Sequence, residues 1–132
     1  MTPKIWNHSL WIPQASPSKL RPLFDALLAG ATFSVLNFTE YHFRPYGWTA
    51  LWLLGESHLA IHTFPDYGTA YVELSSCMLD KYVHFVTALE QWVSAQPPAE
   101  PLLPCVTLPA PESMASYSRP YTQPDLPLSV TA

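Results

Sequence analysis

Trp48-Thr49-Ala50-Leu51-Trp52-Leu53-Leu54, then Gly55-Glu56-Ser57, then His58-Leu59-Ala60-Ile61-His62-Thr63-Phe64 is the stretch that decides the fold. Each flank is rich in apolar, aromatic and β-branched residues and reads as a strand, with a short connection between them. Pro65-Asp66-Tyr67-Gly68 is a turn, and Thr69 to Ser76 is a further strand, so the region predicts a meander. Along the His58–Phe64 strand, even spacing puts His58 and His62 on one face.

Outward from this centre the periodicity changes twice. Thr32 to Phe43 is strand-like and is broken from Trp48 by Arg44-Pro45-Tyr46-Gly47. Leu20, Leu23, Phe24, Leu27 and Leu28 form a helix face, with Ser18 as N-cap, Pro22 in the first turn and Gly30 at the end. Ile5 to Ile12 reads as an opening strand. Leu79, Val83, Val86, Leu89 and Val93 place an apolar stripe on a second helix. The expected class is α+β: a mainly antiparallel sheet with its helices packed on one face, a two-layer sandwich in the order β-α-β-β-β-α.

A chain of 132 residues suits one domain, and 48% hydrophobic against 12% charged residues supports a real core. Nine of the fifteen prolines fall between Pro97 and Pro127. We therefore expect a folded domain over 1–96 and a proline-rich, largely irregular tail over 97–132, with an edge strand possible at 102–108. The net charge of −4 and the lack of a basic run argue against a nucleic-acid partner. No stretch has membrane-span length and the start lacks a signal-peptide apolar region, so no membrane partner and a cytoplasmic location are expected. Cys77 and Cys105 are expected as free thiols in that compartment.

Reactive side chains are densest from Glu56 to Cys77: Glu56, Ser57, His58, His62, Asp66 and Cys77. A serine hydrolase is disfavoured, because Gly55-Glu56-Ser57-His58-Leu59 is not a G-x-S-x-G elbow. His58, His62 and Cys77 could offer three metal ligands, but no fourth is apparent, and no metal is expected. Taken singly, a histidine, serine or cysteine in a central strand is more often a satisfied core residue.

Leu54-Gly55-Glu56-Ser57-His58-Leu59-Ala60-Ile61-His62-Thr63-Phe64-Pro65 resembles the processing motif E-S-H-x-x-I-H-T-W-P-E of the prokaryotic S-adenosylmethionine decarboxylase proenzymes. Phe43-Arg44-Pro45-Tyr46-Gly47-Trp48-Thr49 resembles the family's F-x-P-x-G-x-S/T segment, and Cys77 stands where its catalytic cysteine does. The resemblance implies self-cleavage between Glu56 and Ser57, giving chains of residues 1–56 and 57–132, with Ser57 converted to a covalent pyruvoyl group. It implies that the Ser57 hydroxyl attacks the Glu56 carbonyl, with Thr49 as donor to the developing oxyanion and His62 as base for the α-proton of residue 57. The pyruvoyl carbonyl would then serve as electron sink in α-decarboxylation, and Cys77 would return the proton.

By the same resemblance, Phe43 stacks on adenine, Asp66 holds the ribose hydroxyls in place of the usual Glu, and Phe64 replaces the usual Trp at a substrate contact. Met78 replaces a glycine, and His8-Ser9-Leu10-Trp11-Ile12 lacks the acid of the family's H-x-x-x-[DE] pattern. The implied partners are a small substrate bearing an α-amino acid group and a second copy of the chain, as a homodimer with active sites near the interface. The implied reaction supplies decarboxylated S-adenosylmethionine for spermidine synthesis. Ornithine or arginine decarboxylation on the same scaffold is the alternative, and an uncleaved binding protein is the second.

Overall fold

The computed structural model describes residues 2–102. Seven elements follow in order: β1 (Trp6–Ile12), α1 (Pro17–Gly30), β2 (Val35–His42), β3 (Trp48–Leu54), β4 (Ser57–Phe64), β5 (Thr69–Ser76) and α2 (Leu79–Ser94). The α+β class and the antiparallel sheet are as expected. The expected order is one strand short: all five segments read as strands are present, β2 and β3 being separate on either side of the Arg44–Gly47 break, which gives β-α-β-β-β-β-α. Of the expected edge strand at 102–108, all but Leu102 lies outside the described residues, as do Cys105 and the tail beyond it.

The five strands pair in the spatial order β1-β5-β4-β3-β2, every neighbour antiparallel. Consecutive hairpins join β2 to β5. β1 lies at the opposite edge from β2, so α1 carries the chain from one edge of the sheet to the other. Alternation along the strands then fixes two faces. Trp48, Ala50, Trp52 and Leu54 of β3, and Leu59 and Ile61 of β4, are buried under the helices with Leu20, Phe24 and Leu28 of α1 and Phe85 and Leu89 of α2. On the other face no helix of the described residues lies, and Trp11, Tyr41, Leu51, Leu53 and Phe64 are exposed there.

Both helices are where the periodicity predicts them, with local corrections. The N-cap of α1 is Ser16 rather than Ser18: its carbonyl accepts the N–H groups of Lys19 (3.1 Å) and Leu20 (2.9 Å). Pro17 takes the first helical position, where its missing N–H leaves nothing unsatisfied. Pro22 therefore sits further in, past the first turn. In α2 the stripe is rotated from the expected one. Phe85 and Leu89 are buried, Tyr82, Val86, Trp92 and Val93 pack against them, and Leu79 and Val83 are exposed. Large aromatic rings fill the space under the sheet more fully than the aliphatic series does.

Polar anchors hold the β2 edge. Glu40 accepts from Arg21 (2.9 Å), from the Trp48 indole (3.0 Å) and pairs with His42 (2.8 Å), while the Arg21 guanidinium lies 4.0 Å above the Phe38 ring. The Trp48 indole first, then the His42 ring, hold the Glu40 carboxyl below its usual range. The Trp52 indole donates to Asp25 at 2.9 Å, so both buried tryptophans have their N–H groups satisfied. No helix among the described residues is long and apolar enough to cross a membrane.

Candidate active site

The chain between β3 and β4 is only Gly55-Glu56, because Leu54 and Ser57 already face each other in the ladder. Turning in two residues requires an unusual backbone, and Glu56 adopts φ +56°, the left-handed region. A residue with a Cβ is destabilised there by about 1–2 kcal/mol. Gly55, which would tolerate the conformation, does not adopt a positive φ. The glycine stands one residue before the strained position, and the strain falls on the residue preceding Ser57.

Ser57 opens β4 with its side chain turned to the helix-covered face, and it is 7% exposed. A buried hydroxyl needs a partner, and Ser57 Oγ donates to Ser76 Oγ at 3.0 Å. Ser76 is 1% exposed, lies opposite Ser57 at the end of β5, and accepts the Met78 N–H at 3.0 Å. The next residue, Cys77, places its thiol 3.5 Å from Glu56 Oε2. Glu56, Ser57 and Cys77 are thus brought together. Ser76 is a residue that the motifs do not single out. A signal for it exists, since closing the hairpin at Pro65–Gly68 pairs Phe64 with Thr69 and, counted back along both strands, Ser57 with Ser76.

The other predicted residues meet at the opposite end of β4. Thr49 and His62 are cross-strand partners, and Thr49 Oγ1 lies 2.9 Å from His62 Nδ1. The His62 ring stacks on Tyr71 with centroids 6.4 Å apart and planes 15° from parallel. Thr49 and His62 open on a cleft of about 360 Å³ that Phe43, Tyr46, Phe64 and Asp66 also line. Gly47, at φ +113°, lets the preceding turn double back so that the Phe43 N–H donates to the Gly47 carbonyl at 2.8 Å. Asp66 accepts from the Tyr46 hydroxyl at 3.4 Å. Phe43, Thr49, His62, Phe64 and Asp66 therefore share one cleft.

The two groups do not meet within one chain. Ser57 and His62 are five positions apart on one strand, so they face opposite sides of the sheet and stand roughly 16 Å apart. His58 shares the open face with His62, as expected, but lies in a separate depression with Asn37, Thr39, Leu51 and Leu53. No three His, Cys, Asp or Glu side chains converge on a metal position among the described residues. Ile12, where the family pattern has an acid, is a core residue at 1% exposure.

The family model for S-adenosylmethionine decarboxylase matches residues 14–96. Relatives bearing the name S-adenosylmethionine decarboxylase proenzyme include one from Acidithiobacillus ferrooxidans, 43% identical over 56 residues, covering 40% of this chain and 42% of that one. Another, from Prochlorococcus marinus, is 51% identical over 49 residues, covering 37% of this chain and 38% of that one. The matches thus span about two-fifths of the length of these curated relatives. The crystal structure of the adenosylmethionine decarboxylase from Aquifex aeolicus has the same fold, with a TM-score of 0.56 at 23% identity over 68% of this chain and 78% of that one. With the family model spanning β2 to β5 and both helices, the chain belongs to the S-adenosylmethionine decarboxylase family.

Proposed function

We propose that the chain is a self-cleaving, pyruvoyl-dependent α-decarboxylase acting on S-adenosylmethionine, with a product that serves as aminopropyl donor in spermidine formation. The observation that carries this reading is a left-handed Glu56 joined to a buried, hydrogen-bonded Ser57 across the bond to be cut. In the first step Ser57 Oγ bonds to the Glu56 carbonyl carbon, the Glu56–Ser57 C–N bond breaks, and the hydroxyl proton passes to the freed nitrogen. Converting that amide to an ester releases the constraint on residue 56, so ground-state strain favours the cut. Removal of the α-proton of residue 57 by His62 then expels the Glu56 carboxylate.

The dehydroalanine left at residue 57 would tautomerise to an imine, and its hydrolysis by water would release ammonia and leave the pyruvoyl group on the carbon skeleton of Ser57, where the Ser76 hydroxyl and Cys77 thiol are the neighbours that would hold and serve it. Once formed, such a group supplies an electron-withdrawing carbonyl that takes up the electron pair left when carbon dioxide departs. Cys77, with its thiol 3.5 Å from Glu56 Oε2, would return the proton to the carbon that loses carbon dioxide. Phe43 and Phe64 offer flat apolar faces to a purine, and Asp66, tied to Tyr46, offers a carboxylate to ribose hydroxyls.

Thr49 and His62 serve Ser57 only from a second copy. A two-fold axis lying between two open sheet faces and across the strands would lay the His62 end of one copy over the Ser57 end of the other. The exposed Trp11, Tyr41, Leu51, Leu53 and Phe64 on that face support such a homodimer. The test is release of labelled carbon dioxide from carboxyl-labelled S-adenosylmethionine, ornithine and arginine in parallel. Release from the first alone is expected; release from an amino acid and none from the nucleoside would overturn the assignment.

A further inference from the structure

The buried pair Ser57–Ser76 has a directional feature that the cut bond alone does not require. Ser57 donates its only hydroxyl hydrogen to Ser76 Oγ at 3.0 Å, which leaves both lone pairs of Ser57 Oγ free. Ser76 is itself fixed from the other side, by the Met78 N–H at 3.0 Å, and at 1% exposure it has no water to turn towards. A serine side chain otherwise rotates among three wells. Here the acceptor, anchored at the junction of β5 and α2, selects one of them.

We infer that Ser76 is a positioning residue for self-cleavage: it holds the Ser57 hydroxyl with its hydrogen turned away from the Glu56–Ser57 bond and its lone pairs available for attack. This rests on the self-cleavage reading above and specifies which hydroxyl governs its first step. Ser76 forms no bond to the reacting carbon and takes no proton in the balance. The hydrogen of Ser57 Oγ still ends on the Ser57 nitrogen, and what Ser76 contributes is the fraction of molecules with Oγ correctly turned.

The test follows cleavage of freshly made full-length chain by intact mass for wild type, Ser76→Ala, Ser76→Cys and Ser76→Thr, with hydroxylamine added to parallel samples to open any ester. Removing the acceptor should slow cleavage at least tenfold in Ser76→Ala and several-fold in Ser76→Cys, whose thiol has similar size but accepts weakly. Ser76→Thr, which keeps the hydroxyl, should recover to within about threefold of wild type. The slowed variants should show no hydroxylamine-sensitive ester, because the block precedes it.

Should Ser76→Ala fail to fold, the contrast between Cys and Thr decides alone. Cleavage of Ser76→Ala or Ser76→Cys at the wild-type rate would overturn the inference, as would a Thr variant as slow as the Cys variant. A wild-type chain that never cleaves would instead overturn the self-cleavage reading on which the inference stands.

Discussion

At the Ser57 end of β4 the polar groups are paired within one chain: the buried Ser57 with the buried Ser76, Ser76 with the Met78 N–H and, at the surface, Cys77 with Glu56. Towards the other end of the same strand they face an open cleft, with Thr49 and His62 paired beneath Phe43, Phe64 and Asp66. One end is shaped to fix a single bond in a strained turn, the other to receive something from outside. In the proposed function the two ends of β4 and their neighbours are two halves of a site, and in the proposed dimer each half is completed by the opposite half of another copy.

Removing the nucleophile breaks the first half outright. Ser57→Ala should abolish cleavage, a loss of at least about a thousandfold, leaving one full-length mass and no carbon dioxide release while the thermal transition stays near wild type. His62→Ala removes the second half and should slow cleavage by about a hundredfold or more, with a hydroxylamine-sensitive ester accumulating. Mixing the two variants asks whether the ends work together. In heterodimers of Ser57→Ala with His62→Ala, the chain that keeps Ser57 meets an intact His62 across the interface and should be cut, as a mass spectrum of co-refolded protein would read. No cutting in the mixture would mean that the two ends do not cooperate between copies.

Relieving the strain has a smaller effect. Glu56→Gly accepts φ +56° without penalty, and loss of about 1 kcal/mol of ground-state strain should slow cleavage about fivefold. Glu56→Gln keeps the strain and should cleave near the wild-type rate. Equal rates in both variants would show that strain at residue 56 does not drive the cut.

The smallest effect concerns the β2 edge, remote from the cut. Because the folded structure lowers the Glu40 pKa, through the Trp48 indole first, its stabilisation is present above the ordinary value of 4.5 and is lost as pH falls below it. Glu40→Gln should flatten the acid limb of the melting temperature measured between about pH 3 and 7. An acid limb as steep as wild type would place the titration elsewhere.

Much of this architecture is legible in the sequence. The alternation in β4 separates Leu59 and Ile61 from His58 and His62 by parity alone, and the Pro65–Gly68 turn gives the β4–β5 hairpin. The phase of α2 is not legible, because Leu79 and Val83 fit a helix stripe as well as Tyr82 and Phe85 do, and only the shape under the sheet chooses between them. The motif Glu56-Ser57…His62 reads as one machine along the chain. Strand geometry separates its members, since an odd spacing reverses the face and five extended residues span roughly 16 Å. Ser76 escapes a reading along the chain because its partner lies across a ladder.

Everything proposed for the site depends on the bond after Glu56 cutting itself, and a denaturing intact-mass spectrum of freshly purified wild-type chain reads that event at once. Two species are expected, residues 1–56 and residues 57–132, the second lighter by one ammonia than a fragment beginning with serine. A single full-length mass after prolonged incubation would contradict self-cleavage.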